Sequence, residues 1–168
     1  MKKCTLALGC FWKPEENFKN KPGIIETEVG YAGGLSDKVT YEEVCKGDTG
    51  HAEVVRLTFD EKLISFKKIL DLFFKMHDPT QKDMQYPDVG TQYRSEIFYE
   101  DDIQKVEAKE ILEIFNKELT GKIQTNISQI KNYCKAEEYH QKYLEKNRSK
   151  IFLKEINFSS KVSLTTSA

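Results

Sequence analysis

The sequence predicts an α+β protein: a two-layer sandwich with a ferredoxin-like core and mixed sheet, and with helices packed on that sheet. Two observations lead to this prediction. Apolar residues recur at strand spacing in some segments and at helix spacing in others, and the two kinds of segment alternate along the chain. The order strand, helix, two strands, helix, strand is that of a ferredoxin-like core, with at least one strand more. A chain of 168 residues is long enough to bury one sizeable core.

The N-terminal half contains three predicted strands and two longer predicted helices. They are a strand at 5–8, a helix at 13–20 with Pro14 in its first turn, strands at 24–31 and 53–59, and a helix from 65 to 77. In the third strand, Val55, Leu57 and Phe59 fall on one face because strand side chains alternate. Ser65 is a typical N-cap, and Asp78-Pro79 ends the helix that it begins.

The C-terminal half continues with a long polar loop and further alternating elements. They are a loop at 83–93, a strand at 95–99, a helix at 102–119 with Val106, Ile111, Ile114 and Phe115 inward, a strand at 123–130 and a charged helix at 136–147. Gly121 lies just beyond the end of the first of these helices. We expect residues 1–158 to form a single catalytic domain, and 159–168, rich in Ser and Thr, to be a disordered tail.

Composition and charge exclude several classes of protein. Lys plus Arg number 26 and Asp plus Glu number 27, so a net charge of -1 provides no field to attract nucleic acid or an anionic membrane. No apolar run approaches the roughly 20 residues of a membrane span. The three histidines are scattered and no paired-cysteine motif is present, so we expect no metal site. Four cysteines are too few for a disulfide scaffold, which favours a cytoplasmic setting with reduced thiols.

The run Gly9-Cys10-Phe11-Trp12 is the first candidate for chemistry. Cys10 lies between a predicted strand and a predicted helix, where helix N–H groups favour an anion, so we expect a thiolate with a lowered pKa. Phe11 and Trp12 are expected to form an apolar pocket beside it. The alternative interpretation is that these are core residues at a strand end.

Glu53 is the candidate acid. It precedes a run of apolar residues, and burial among them raises a carboxyl pKa so that the group stays protonated near neutral pH. A solvated glutamate at a strand end is the alternative. The segment 88–95 suits the lip of a site, and Tyr41 can present a phenol to the same pocket.

Seven motifs together resemble the class A peptide methionine sulfoxide reductases. They are Gly9-Cys10-Phe11-Trp12, Val29-Gly30-Tyr31-Ala32-Gly33-Gly34, Thr40-Tyr41-Glu42-Glu43-Val44-Cys45, Gly50-His51-Ala52-Glu53-Val54-Val55, His77-Asp78-Pro79-Thr80, Gly90-Thr91-Gln92-Tyr93-Arg94-Ser95 and Ala136-Glu137-Glu138-Tyr139-His140-Gln141. They stand in the order and at about the spacing of that family, over nearly the whole chain.

The resemblance implies a peptide-methionine (S)-S-oxide reductase that repairs oxidised proteins. Cys10 would attack the sulfoxide sulfur and become a sulfenic acid, with Glu53 as the acid. The family's two phenols fall on Tyr41 and Tyr93, which would hydrogen-bond the sulfoxide oxygen.

The resemblance also implies how the substrate is held. Phe11 and Trp12 would enclose the S-methyl group, and Asp88 falls where the family keeps an acidic residue near the site. The substrate would be methionine sulfoxide, free or in peptides and proteins. We expect a monomer that holds no bound cofactor and depends on an external thiol reductant: thioredoxin, glutaredoxin or glutathione.

The chain departs from the family pattern at the thiol that would resolve the sulfenic acid. The family's usual resolving cysteine lies in a glycine-rich C-terminal tail, and this chain has no cysteine after Cys134. Cys134 is the candidate resolving cysteine, with Cys45, Cys4 and an external thiol as alternatives. Lys13-Pro14 and Tyr86-Pro87 also differ from the common pattern and imply a stiffer helix start and a bulkier lip.

Two other classes of function stay open at this stage. A Cys–His hydrolase would pair Cys10 with His51, His77 or His140. A redox-sensing or peptide-binding module would use Cys10 as a sensor without turnover.

Overall fold

The computed structural model of the protein describes residues 1–154; the predicted tail at 159–168 lies outside the described residues. The described elements follow in chain order: β1 (Lys2–Leu8), α1 (Trp12–Lys19), β2 (Ile24–Ala32), α2 (Tyr41–Cys45), β3 (Ala52–Phe59), α3 (Phe66–Met76), β4 (Met84–Gln85), β5 (Asp88–Val89), a 3-10 turn (Thr91–Tyr93), β6 (Ser95–Tyr99), α4 (Asp102–Glu118), β7 (Asn126–Gln129), β8 (Cys134–Lys135), a second 3-10 turn (Glu138–His140) and α5 (Tyr143–Lys146). Residues 148–154 are again helical.

Six strands form a mixed sheet in the order β7-β6-β1-β3-β2-β8. The four strands β6-β1-β3-β2 are antiparallel to their neighbours and connect as a ferredoxin-like core, while β7 joins β6 in parallel. The predicted α+β class and its ferredoxin-like core are therefore confirmed.

The helices α1, α3 and α4 cover one face of the sheet. Strand alternation sends Val55, Leu57 and Phe59 to this face, as predicted, where they pack with Phe18 of α1 and the apolar side of α3. The opposite face has a smaller apolar cluster that includes Ala7, Ala32, Ala52, Val54 and Phe98. The helix-covered face is the main core, and the N-terminus of α1 lies against the start of the central strand β3.

The predictions for β2, β3, β6 and α3 agree with the structure within a residue or two. Ser65 caps α3 by accepting a hydrogen bond from the Lys68 N–H, and Thr40 caps α2 in a reciprocal capping box with Glu43. The predicted loop at 83–93 is more ordered than expected. It contains the β4–β5 hairpin and the first 3-10 turn.

The predicted inward face of α4 is half wrong. Ile111 and Phe115 pack against the core, but Val106 and Ile114 are 54% and 53% exposed. The helix is rotated because Gln104 faces inward, where its side-chain amide bonds the backbone carbonyl of Lys3 at 2.7 Å and the backbone N–H of Glu100 at 2.9 Å.

The predicted strand at 123–130 is shorter than expected. Only β7 pairs with the sheet, because the Ile123 and Gln124 N–H groups bond the side chain of Asn116 and the carbonyl of Pro79 instead.

The predicted continuous helix at 136–147 is wrong. It is divided into the second 3-10 turn and α5 because the Gln141 side chain bonds both the N–H and the carbonyl of Val29, each at 2.9 Å. Lys142 then turns into the left-handed region at a φ of 52°, and its N–H donates to Glu15. Long-range contacts to β2 and α1 thus override the local helical pattern.

Across residues 1–154, no helix has both the length and the apolar character needed to cross a membrane.

We expect Ile111→Ala to lower the free energy of unfolding by about 1–3 kcal/mol, since it removes methyl groups that pack against the core. Ile114→Ala, three residues along the same helix, is the matched control and should change stability by less than about 0.5 kcal/mol because its side chain is half exposed. Urea unfolding of both variants measures the difference. Equal losses would contradict the orientation of α4.

Candidate active site

Strand register buries Glu53 at the edge of the helix-covered core. Glu53 has the same parity in β3 as Val55 and Leu57, so its carboxyl points to the apolar face, and the residue is 1% exposed. The N-terminus of α1 approaches it there, and the backbone N–H of Phe11 donates to Glu53 Oε2 at 3.1 Å. The partner of this buried carboxyl is thus a peptide group.

Burial raises the pKa of Glu53 to about 8, and the negative charge of Asp88 adds to the increase, while the Phe11 N–H opposes it. The carboxyl is therefore protonated at neutral pH and can give up a proton. The predicted raised pKa is confirmed, and the solvated alternative is wrong because the side chain is buried.

Cys10 lies in the turn between β1 and α1. Gly9 makes this turn at a φ of 94°, a backbone conformation that favours glycine. Burial, and after it the charge of Glu53, raises the pKa of the Cys10 thiol to about 12, although the Trp12 N–H at the start of the helix lowers it. The predicted lowered pKa is wrong, because loss of solvent outweighs the helix terminus. Protonation of Glu53 removes the part of the increase that its charge causes.

A cavity of about 330 Å³ opens beside Cys10. Asp88, Tyr86 and Pro87 form part of its wall, which places the predicted lip next to the thiol. Pro14 lies in the first turn of α1 and lines the same cavity. A larger cavity of about 390 Å³ lies elsewhere, between the loop after β2 and α2.

Tyr41 and Tyr93 reach the site from the first residue of α2 and the end of the first 3-10 turn. Burial and the charge of Glu53 raise the pKa of both phenols, that of Tyr93 to about 12. The charges of Asp88 and Cys10 also act on Tyr93. Both phenols therefore keep their protons at neutral pH, and the predicted catalytic groups share one electrostatic environment.

Phe11 and Trp12 follow Cys10 at the start of α1, and neither is among the residues that line the cavity beside the thiol. Phe11 is 1% exposed and lies in a cluster with Tyr31 and Val44. Trp12 stacks on Tyr143 with ring centroids 3.9 Å apart and an interplanar angle of 9°. Two neighbours in sequence thus contribute a fully buried ring and a half-buried one.

Three residues, Glu137, His140 and Tyr143, support the site through contacts that the sequence did not indicate. The Trp12 indole N–H donates to His140 Nδ1 at 3.0 Å, which fixes the orientation of the indole together with Tyr143. Glu137 accepts from the Tyr31 hydroxyl and from the backbone N–H of Tyr41, both at 2.8 Å. Glu137 and His140 stand three residues apart, a spacing that places two side chains on one side of a helical turn and could have indicated them.

Each of the three histidines forms hydrogen bonds with groups other than Cys10. His77 bonds the Phe73 carbonyl and the Ser95 hydroxyl, both at 2.7 Å, and burial lowers its pKa to about 4. His51 bonds the Ser36 carbonyl at 2.8 Å, and His140 accepts from Trp12. His77 lines the cavity beside Cys10, but among residues 1–154 no hydrogen bond joins a histidine to that thiol, so the arrangement gives no support to the Cys–His alternative.

Cys134 lies in β8 at the edge of the sheet, paired with Tyr31. Its thiol is directed at the backbone carbonyls of Val39 and Lys135, at 3.6 and 3.7 Å. Within residues 1–154, no group of three or more His, Cys, Asp or Glu side chains is placed to hold a metal ion.

Comparison with known proteins agrees with this geometry. A family model described as "Peptide methionine sulfoxide reductase" matches residues 2–167. The chain is 57% identical over 146 residues to a protein of Pelagibacter ubique named "Peptide methionine sulfoxide reductase MsrA", an alignment that covers 87% of this chain and 99% of that protein.

Solved structures give the same result. Saccharomyces cerevisiae Mxr1 in its reduced form is 43% identical and superposes with a TM-score of 0.83 over 88% of this chain and 86% of that one. Mxr1 in complex with Trx2 matches with a TM-score of 0.60 and 30% identity, over 84% of each chain. The chain therefore belongs to the peptide methionine sulfoxide reductase family, and its activity is that of a peptide-methionine (S)-S-oxide reductase.

Proposed function

We propose that the enzyme reduces methionine S-sulfoxide, free or within proteins, through a sulfenic acid on Cys10, and that Glu53 is the proton donor. The observation that supports this mechanism is the buried Glu53 carboxyl, which is protonated at neutral pH and lies within the electrostatic reach of Cys10. A sulfoxide oxygen is a poor leaving group until it gains a proton, so a neutral acid beside the nucleophile supplies what the reaction needs.

The proton and electron balance follows from the two raised pKa values. The Cys10 sulfur attacks the sulfoxide sulfur, Glu53 gives its proton to the sulfoxide oxygen, and the proton of the thiol replaces it on Glu53. The bond formed between the two sulfurs and the methionine S–O bond then break as the hydroxyl moves to the Cys10 sulfur, which leaves methionine and a Cys10 sulfenic acid. Methionine is reduced by two electrons, and Cys10 is oxidised by two.

The phenols of Tyr41 and Tyr93 are proposed to hydrogen-bond the sulfoxide oxygen as its charge develops, since both stay protonated. Phe11 and Trp12 are proposed to hold the S-methyl group, which selects the S epimer. Asp88 is proposed to act next to the site, where its negative charge helps to keep Glu53 protonated.

The oxidised enzyme needs an external thiol for its next turnover. We propose thioredoxin as the donor, with glutaredoxin or glutathione as alternatives. The relative solved in complex with Trx2 supports this choice. All four cysteines are unpaired, which favours a reducing compartment such as the cytoplasm, and we propose that the enzyme acts there as a monomer.

We expect Cys10→Ser to abolish the reduction of methionine S-sulfoxide, because a hydroxyl is a much weaker nucleophile at this site. The assay measures methionine formed with dithiothreitol as the reductant, and the R epimer serves as the control substrate. Turnover by the wild type through many equivalents of substrate would exclude a sensor without catalysis. An inactive wild type would contradict the proposal.

We expect Glu53→Gln to lower the rate of methionine formation by about 10²- to 10⁴-fold, since the amide accepts the Phe11 N–H but gives no proton. In the wild type the rate should fall as the pH rises above about 8, where Glu53 ionises, and it should be constant below.

Single-turnover measurements from pH 6 to 10, without reductant, keep the ionisation of the reductant out of this profile. The Glu53→Gln variant should lack the decrease near pH 8. A variant that keeps the same decrease would assign it to another group.

We expect Tyr93→Phe to lower the rate about 10²-fold by removing one donor to the sulfoxide oxygen. Tyr99→Phe is the matched control, because Tyr99 lies in β6 with Lys105 over its ring and is not part of the site. The two variants are compared by the rate of a single turnover with saturating substrate. Equal rates for both would remove Tyr93 from the mechanism.

A further inference from the structure

Strand pairing alone does not set the position of Tyr93 relative to Glu53. Tyr93 ends the first 3-10 turn, just before β6, and Glu53 is the second residue of β3. In the described sheet β1 lies between β3 and β6, so no backbone ladder joins these two segments directly. Other contacts must therefore fix the turn that carries Tyr93 relative to the start of β3.

The side chain of Arg94 makes such a contact. Its Nη1 donates to the carbonyl of Thr91 at 2.9 Å, and its Nη2 donates to the carbonyl of Gly50 at 3.1 Å. Thr91 begins the turn that carries Tyr93. Gly50 stands three residues before Glu53. One guanidinium group thus bridges the two segments.

The third donor of Arg94 fixes the direction of the guanidinium. Its Nε donates to Glu96 Oε2 at 2.6 Å, and the other carboxylate oxygen accepts from the Ser128 hydroxyl, also at 2.6 Å. The side chains of Arg94 and Glu96 are only 14% and 8% exposed, so solvent screens this ion pair little. Because Glu96 lies in β6 and Ser128 in β7, the guanidinium is anchored to the sheet.

The backbone leaves room for this guanidinium at Gly33. A Cβ atom on Gly33 would lie 3.2 Å from Arg94 Nη2 and 2.7 Å from the ring of Phe98. Gly33 also has a φ of 85°, a backbone conformation that favours glycine. The end of β2 therefore packs closely against the bridging group, which restricts its movement.

We propose that Arg94 is a positioning residue for the reduction: its guanidinium holds the turn that carries Tyr93 against the segment that leads into Glu53, and Glu96 orients the guanidinium. The inference rests on the roles proposed above for Tyr93 and Glu53. The bonds of Arg94 go to two carbonyls and a carboxylate of the protein, so it acts through those two groups. A phenol and an acid that must meet one sulfoxide oxygen depend on their relative position.

A lysine cannot make the same bridge. The guanidinium presents its donors in a rigid planar fork, whereas an ammonium group is a compact charge at the end of a flexible stem. Arg94→Lys keeps the positive charge and can still pair with Glu96, but it does not hold two carbonyls in fixed directions. This variant therefore removes the bridge with little change in the charge of the site.

The test measures a single turnover of methionine S-sulfoxide without reductant. We expect Arg94→Lys to lower the rate constant at saturating substrate by about 10- to 10²-fold, since misplaced catalytic groups raise the barrier of the chemical step. The substrate concentration that gives half of this rate should change by less than about twofold, because Phe11 and Trp12 are unchanged. The yield of methionine per enzyme should stay the same, whereas a loss of folded protein would lower the yield.

Arg56→Lys is the matched control. Arg56 also pairs with a glutamate, Glu100, at 2.9 Å, and its side chain is 21% exposed. Its guanidinium lies over the ring of Tyr133, 4.3 Å from the centroid, on β3 but away from the two segments that Arg94 bridges. We expect this variant to react at the rate of the wild type.

Glu96→Gln tests the orienting carboxylate. The amide keeps the shape of the side chain but offers Arg94 a neutral acceptor, so the rate constant should fall less than in Arg94→Lys. If Glu96 acts through Arg94, the double variant should be no slower than Arg94→Lys alone. Losses that multiply in the double variant would overturn the orienting role of Glu96.

The outcomes separate this inference from the proposed function. Absence of methionine in the wild type would contradict the proposed function itself. The role of Arg94 would be overturned, with the activity intact, by an unchanged rate constant in Arg94→Lys, by an effect confined to the yield or to the half-saturating concentration, or by an equal loss in Arg56→Lys.

Discussion

The burial of the Glu53 carboxyl against a peptide N–H, with no cationic side chain of residues 1–154 paired to it, is the constraint on which the site depends. Strand parity sends the side chain into the apolar face, and the turn into α1 brings the Phe11 N–H within hydrogen-bonding distance. A buried carboxylate without a counter-charge is costly, so the group holds its proton at neutral pH. The same turn carries Cys10, so one backbone geometry places the proposed nucleophile and supports the proposed acid.

The rest of the chain keeps that turn and its surroundings in place. Glu137 connects the ring of Tyr31 to the first residue of α2, and so fixes Tyr41 relative to the sheet. His140 and Tyr143 hold Trp12 from a segment more than 120 positions away in sequence. Since these contacts join the start, middle and end of the described chain, the site requires the complete fold.

The elements that the sequence predicts best are those that depend on residues close to them in the chain. The face of β3, the cap of α3 at Ser65 and the capped start of α2 depend on neighbours within a few residues, and all three agree with the structure. The helix predicted at 136–147 fails because Gln141 bonds β2 instead of continuing its own helix. The pKa of Cys10 fails for a related reason: the helix terminus is visible in sequence, but the loss of solvent depends on the assembled site. The raised pKa of Glu53 agrees with the prediction because strand alternation places its side chain on the face that the fold buries.

The neutral thiol of Cys10 has a consequence for an enzyme that works while oxidants are abundant. Peroxides and alkylating electrophiles react with thiolates, and cysteines of low pKa are the first to be driven to irreversible sulfinic and sulfonic acids. A thiol whose pKa is raised to about 12 presents little thiolate to such reagents. In the proposed mechanism its reactivity depends on a proton passing from Glu53 to a bound sulfoxide, so the substrate itself would determine when the cysteine is a nucleophile. Under that mechanism, selectivity for one oxidised sulfur would also protect the catalyst from the oxidants whose damage it repairs.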